Sequence, residues 1–90
     1  MKVLWSPQAI RDLSAIRDYI AKDSRTVAKA FTVRLAAAAN SLEELPRRGR
    51  PGRAPDTFEL VIAGTPYIIV YGLEDDVVHI AGVDHAARRR

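Results

Sequence analysis

Ninety residues suffice for one small domain, read as 1–90, and a chain of this size buries only about 60–65% of its unfolded surface, so a partner covering apolar surface would help. It has no cysteine, no run of 18 apolar residues, and Lys2 leads into a strand rather than a leader; disulfides, thiolate metal sites and a membrane span are excluded, and a cytoplasmic location is expected. The formal charge of +3 is local: Arg47, Arg48, Arg50 and Arg53 crowd residues 46–55 without an acid, and Arg88-Arg89-Arg90 follow later, which suits nucleic acid, an acidic protein, or solubility alone.

Val3-Leu4-Trp5 reads as a short strand. Ser6-Pro7 then opens a helix, since Ser caps well and Pro is tolerated at the first helical position. Ile10, Leu13, Ile16 and Ile20 recur at helical spacing, with Tyr19 beside them, and Asp18 stands four residues before Lys22 for a favourable pair. Asp23 or Ser24 ends this helix and caps the next. The second stripe runs Val27, Phe31, Leu35, Ala38, Leu42 and Leu45, a helix of about five turns that Pro46 stops. The short connection between the two makes a helical hairpin.

The basic loop follows, and then three strand patterns: Thr57–Ala63, Tyr67–Leu73 and Val77–Val83. Gly64-Thr65-Pro66 and Glu74-Asp75-Asp76 are connections of hairpin length. The order is therefore β-α-α-β-β-β. The fold class is α+β, with the helical hairpin packed on one face of a small, mainly antiparallel sheet. Phe58, Leu60 and Ile62 face one side of their strand and Glu59 the other. The middle strand is apolar on both faces, which predicts cover on both sides, with a partner as one candidate cover.

The residues offer little catalytic chemistry. Ser6, Ser14, Ser24 and Ser41 lie at caps or on helices with no histidine near them in sequence. His79 and His85 do not make a metal site at a recognisable spacing. His79 reads as a strand histidine. His85 follows the last strand and precedes Arg88; it is either a surface turn residue or a functional one. Trp5 reads as core or sheet surface. The loop arginines could grip phosphates or carboxylates bidentately, or could simply be solvated. No aromatic platform stands in the loop, so base stacking is poorly supported.

Several strings together carry a resemblance. They are Trp5-Ser6-Pro7, Ala9, Asp12-Leu13, Ile16, Tyr19-Ile20 and Asp23; Leu45-Pro46, Gly49-Arg50, Gly52-Arg53 and Glu59-Leu60-Val61-Ile62; Pro66-Tyr67-Ile68-Ile69-Val70-Tyr71; and Val83, His85 and Arg88. In this order the chain resembles, nearly end to end, the RelE/ParE superfamily of type II toxins. The resemblance implies a toxin neutralised by an antitoxin encoded beside it. RelE-like members cleave mRNA on the ribosome; ParE-like members poison DNA gyrase. The basic residues of the RNA-cutting branch would fall at Ala63, Ile68 and Ala86, none of which is charged, and no terminal tyrosine follows Arg90.

The resemblance thus implies a ParE-like gyrase inhibitor without catalysis of its own. The alternatives are a ribosome-dependent mRNA endoribonuclease, or a decayed toxin that only binds its antitoxin. Arginines common in ParE-like chains are replaced by Phe58, Gly72 and Gly82, and Asp84 stands at an often apolar position. Target or antitoxin contacts are expected at Arg47, Arg48, Arg50, Arg53, His85 and Arg88, and an apolar antitoxin-facing surface at Val27, Phe31 and Leu35. The expected partners are a ParD-like antitoxin with an apolar, acidic C-terminal segment, DNA gyrase as target, and operator DNA only through the antitoxin. No catalytic residue, metal, cofactor or membrane contact is expected.

Overall fold

The computed structural model of the chain describes residues 1–88. Its elements run β1 (Lys2–Trp5), α1 (Pro7–Ala21), α2 (Arg25–Asn40), a 3-10 turn (Ser41–Glu43), β2 (Arg50–Pro51), β3 (Thr57–Val61), β4 (Tyr67–Glu74), β5 (Val77–His85) and a closing 3-10 turn (Ala86–Arg88).

Both helices start where cap chemistry puts them. The Ser6 hydroxyl accepts from the Ala9 N–H at 3.0 Å with Pro7 next in line, and the Ser24 hydroxyl accepts from Val27 at 3.2 Å, so Ser24 and not Asp23 is the second cap. On α1, Ala9 and Ile16 are buried, with Leu13 and Ile20 packed beside them; Ile10 lies on the flank and is exposed. The Asp18–Lys22 pair does not form. Asp18 accepts from Arg17 at 3.5 Å, and the Lys22 ammonium sits 5.7 Å from the centre of the Tyr19 ring.

The second helix is shorter than its apolar stripe. It ends at Asn40, where the chain tightens into the 3-10 turn, and Ser41 donates to the Ala38 carbonyl at 2.6 Å. The tightening brings Asn40 under Trp5, whose indole N–H donates to it at 3.2 Å. Leu42 therefore stays in the core while Leu45 emerges exposed.

The five strands form one mixed sheet in the order β1-β5-β4-β3-β2. Among the described residues only β1 pairs in parallel, from Lys2 opposite Val77 to Trp5 opposite Ile80; the other pairs are antiparallel. The two-residue β2 is an addition to the sequence reading, since Arg50-Pro51 is too short to show a period, and its proline is tolerated because the strand is an edge. Asp75 (φ 53°) and Asp76 (φ 59°) form the two-residue loop between Glu74 and Val77, the left-handed geometry of a type I′ turn.

A bulge bends β5. Val70 stands opposite Gly82 and Tyr71 opposite Ile80, so Ala81 is the extra residue. It reverses the side-chain parity of the strand: Val83 above the bulge and Ile80 and Val78 below it all reach the same core. Helix α1 holds it in place. Ser6 donates its N–H to Ile80 and its hydroxyl to Ala81, each at 2.9 Å, and the Asp12 carboxylate accepts from the Val83 N–H at 2.9 Å.

One apolar cluster joins the helices to β3, β4 and β5. Tyr71, Leu35, Leu42, Ile69, Ile80 and Val78 are its fully buried large side chains, the aliphatic ones worth about 1.5–3 kcal/mol each. Ile68 and Ile69 are both buried, so β4 is covered on both faces. This corrects the reading of Leu35 as antitoxin-facing: at 0% exposure it belongs to the core.

Candidate functional site

The arginine loop is shaped by two side chains beneath it. Tyr71 rises from the core face of β4, and its hydroxyl donates to the Pro46 carbonyl at 2.8 Å and accepts from the Gly49 N–H at 2.9 Å. Burial pushes the Tyr71 pKa up, and the Gly49 N–H with the nearby Arg47 and Arg48 guanidiniums pulls partly against it, so the phenol stays protonated and keeps donating. Gly49 passes so close that a Cβ there would lie 2.7 Å from the hydroxyl. Glu59 is the second support. It is 4% exposed, and its carboxylate accepts from the Arg50 guanidinium at 3.3 Å and from the Arg53 N–H at 3.2 Å. Residues 46–55 have no acid of their own; the strand beneath supplies one.

The four arginines therefore differ. Arg50 is paired with Glu59. Arg48 donates to the Ser41 hydroxyl at 2.8 Å. Arg47 lies 5.9 Å from the centre of the Phe58 ring, which itself stacks on Tyr71 at 5.4 Å. Arg53 is held only by its backbone, and its exposed guanidinium has no partner among the described residues. The loop thus presents Arg47 and Arg53 most freely.

A second surface lies at the start of β4. Asp12, Ala15, Ile16 and Tyr19 of α1, Tyr67 of β4, and Val83 and His85 of β5 line a groove of about 390 Å³. The Tyr67 ring meets Phe31 edge-on at 5.6 Å and His85 edge-on at 5.3 Å. His85 Nδ1 accepts from the Ala87 N–H at 3.1 Å, which leaves Nε2 to carry the proton of the neutral ring. Asp12 is spent on Val83 and on the Gln8 side chain, which donates to it at 2.7 Å. The groove mixes polar Asp12 and His85 with apolar Ala15, Ile16 and Val83, and beside the exposed Tyr19 it can seat an apolar side chain of a partner.

The expected site residues do not converge. Tyr67, beside His85, and Tyr71, beneath the loop, are four residues apart on β4, about 13 Å along the strand. Phe31 is half-buried at the edge of the groove and Val27 is exposed one turn away. Arg88 closes the final 3-10 turn; its side chain, with Arg89 and Arg90, lies outside the described residues. His79 is exposed on the outer face of the sheet. No group of three or more metal-ligating side chains occurs among the described residues.

Five contributors were missed by sequence reasoning: Tyr71, Glu59, Tyr19, Tyr67 and Arg34. The last donates from α2 to the Ala63 carbonyl at the β3–β4 turn. A signal existed for the first two, because a hydroxyl and a carboxylate inside apolar strands must find partners.

Residues 3–90 match a family model described as the ParE toxin of the type II toxin–antitoxin system parDE. The chain is 44% identical over 87 residues to toxin RelE2 of Caulobacter vibrioides, covering 97% of each chain. Among solved structures, it superposes on the chromosomal ParDE system of P. aeruginosa with a TM-score of 0.87 at 22% identity, over 94% of this chain and 95% of that one. The RelBE2 toxin–antitoxin complex of Mycobacterium tuberculosis gives 0.63 at 29% identity, over 93% and 95%. Two helices on a mixed sheet, with this end-to-end match, define a toxin of a type II toxin–antitoxin module. The chain belongs to the ParE toxin family, within the RelE/ParE superfamily.

Proposed function

We propose that this toxin acts by binding DNA gyrase, and that a ParD-like antitoxin silences it by covering the groove of Tyr19, Tyr67 and His85. The observation that carries the first part is the spacing of Tyr67, beside His85, from Tyr71, beneath the arginine loop, about 13 Å along β4. Cleaving a phosphodiester needs a base and charge stabilisation at one reacting centre. Here each is engaged elsewhere: Arg50 with Glu59, Arg48 with Ser41, and His85 with the Ala87 N–H. Ile68, at 5% exposure, leaves no opening for charge from that position, and the groove's carboxylate is engaged with the backbone. A surface of separated cationic and aromatic patches suits recognition of a large protein instead.

The antitoxin reading is supported by the neighbours, which are toxin–antitoxin systems, and by the exposed Tyr19 and Val27 beside the groove. A partner segment with apolar side chains for the groove and acids for Arg47 and Arg53 would order on binding. Operator DNA is reached only through this antitoxin. Both proteins work in the cytoplasm; no helix among the described residues is long and apolar enough to cross a membrane.

One observation favours a second reading. Arg34 brings a guanidinium to the Ala63 turn, and the 44% identical relative is named RelE2, so a ribosome-dependent mRNA endoribonuclease is the alternative. Two assays separate the readings. Purified toxin inhibits supercoiling or traps cleaved DNA in a gyrase reaction, and leaves mRNA intact on translating ribosomes. Site-specific mRNA cleavage that disappears in His85→Ala or Arg34→Ala overturns the gyrase assignment. Silence in both assays identifies a decayed toxin that keeps only its antitoxin.

A further inference from the structure

The turn that begins the arginine loop exposes an apolar tip. Leu45 is 62% exposed, and with Glu44, Pro46, Arg47 and Arg48 it lines a hollow of about 410 Å³. A lone exposed leucine is ordinary on a protein surface, but this one is held still. Its N–H donates to the Ser41 carbonyl at 3.3 Å, and its carbonyl accepts from the Arg48 N–H at 3.1 Å. The second bond closes a four-residue turn with Pro46 in its second position, where the fixed φ of proline suits the turn. The Pro46 carbonyl in turn accepts from the Tyr71 hydroxyl, so the turn is pinned to the core.

The cations beside the tip are also oriented. Arg47 stands 5.9 Å from the centre of the Phe58 ring, and Arg48 donates to Ser41 at 2.8 Å, while both remain exposed. From Glu44 to Arg53 the chain carries four arginines and one acid, so this end of the molecule attracts carboxylates. An apolar knob flanked by guanidiniums has the build of a protein-binding hot spot, with its anchor at the centre and charge at the rim. The backbone needs no further ordering to present it, which lowers the cost of association. Nucleic acid fits less well, because leucine and proline offer no stacking surface and the Phe58 ring is half-buried with Arg47 beside it.

We infer that the Leu45-Pro46 turn is the point at which this toxin grips its target protein, gyrase, seating Leu45 in an apolar pocket edged by acidic side chains. The inference rests on the gyrase reading above and adds the residue that makes the contact. It also gives the two partners different anchors. Tyr71, beneath the turn, and Tyr67, in the antitoxin groove, stand about 13 Å apart along β4, so the tip can be altered without touching the groove. An antitoxin that puts acids on Arg47 covers the rim of the tip and competes with the target there.

The test uses free toxin, separated from the complex made by co-expression with the antitoxin gene beside the toxin gene. Gyrase supercoiling reactions and titrations with that antitoxin are run in parallel. Leu45→Ala should raise the toxin concentration for half inhibition about tenfold. Its melting temperature and antitoxin affinity should match the wild type, because the side chain already lies outside the core. Leu45→Met keeps an apolar tip of similar volume and should inhibit within about threefold of the wild type; a loss as large as that of Leu45→Ala would overturn the apolar pocket. Inhibition by Leu45→Ala at the wild-type concentration overturns the tip as the contact and leaves the gyrase reading standing. An equal loss of antitoxin affinity in Leu45→Ala assigns the tip to the antitoxin and overturns the inference. Toxin binding to naked duplex DNA at the salt of the gyrase reaction, lost in Arg47→Ala, assigns the turn to DNA and overturns it as well. Failure of the wild type to inhibit gyrase overturns the gyrase reading itself, and this inference with it.

Discussion

Replacing Tyr71 with Phe removes one oxygen from the centre of the fold and should release the arginine loop. The ring is fully buried and stacks on Phe58 at 5.4 Å, and Phe keeps both features. Only the hydroxyl is lost, with its bonds to Pro46 and Gly49 at 2.8 and 2.9 Å. Each such bond contributes about 1 kcal/mol net, and stranding a part-buried partner adds to the loss. The sum is about 2–3 kcal/mol, against a total of about 5–13 kcal/mol for a domain of this length. The thermal midpoint by circular dichroism should fall by about 10–20 °C. Amide exchange should accelerate at Gly49 and leave Val78 in the core nearly unchanged.

A pH series gives an independent check. The folded pKa of Tyr71 is raised above its ordinary value of 10.0, so its contribution is fully present below pH 10 and is lost as pH rises through the raised value. The slope of stability against pH above 10 should therefore be shallower in Tyr71→Phe than in the wild type. A loss below about 0.5 kcal/mol, with Gly49 exchange unaltered, would refute the assignment of Tyr71 as the loop's anchor.

Gly49→Ala places a Cβ 2.7 Å from the Tyr71 hydroxyl and 2.8 Å from the Glu59 carbonyl, so unfolding by urea should show a loss of about 1–3 kcal/mol. Asp75→Asn with Asp76→Gly suits the left-handed turn better than two aspartates, and should raise stability by about 0.5–1.5 kcal/mol in the same assay. Arg53→Ala should weaken partner binding and flatten its salt dependence without lowering the melting temperature. Arg50→Ala should do the reverse, destabilising the fold by taking a cation from Glu59, which is 4% exposed; equal effects of the two substitutions would show that the loop arginines are interchangeable.

The elements themselves were legible because their causes are local. Ser6-Pro7 and Ser24 start helices through bonds three residues away, and Asp75-Asp76 turns the chain within four residues. The ordered strings from Trp5 to Arg88 likewise gave the family, which the match over residues 3–90 shows. Tertiary structure decided what depends on distant partners. A helical stripe names Val27, Phe31 and Leu35 alike, but packing on the sheet buries only Leu35 completely, because position around the helix relative to the core sets exposure. The four loop arginines look equivalent until Glu59, Ser41 and Phe58 are brought beneath them by strand pairing and the 3-10 turn. The bulge at Ala81 carries no period of its own; it is held by Ser6, the cap of α1, and by Asp12 within that helix, which bond to β5 some 70 residues later in the chain. The same folding sets His85 beside the first residue of β4 and the arginine loop over its middle, at Val70 and Tyr71, since the extended length of a strand, and not sequence distance, fixes how far apart its neighbours stand.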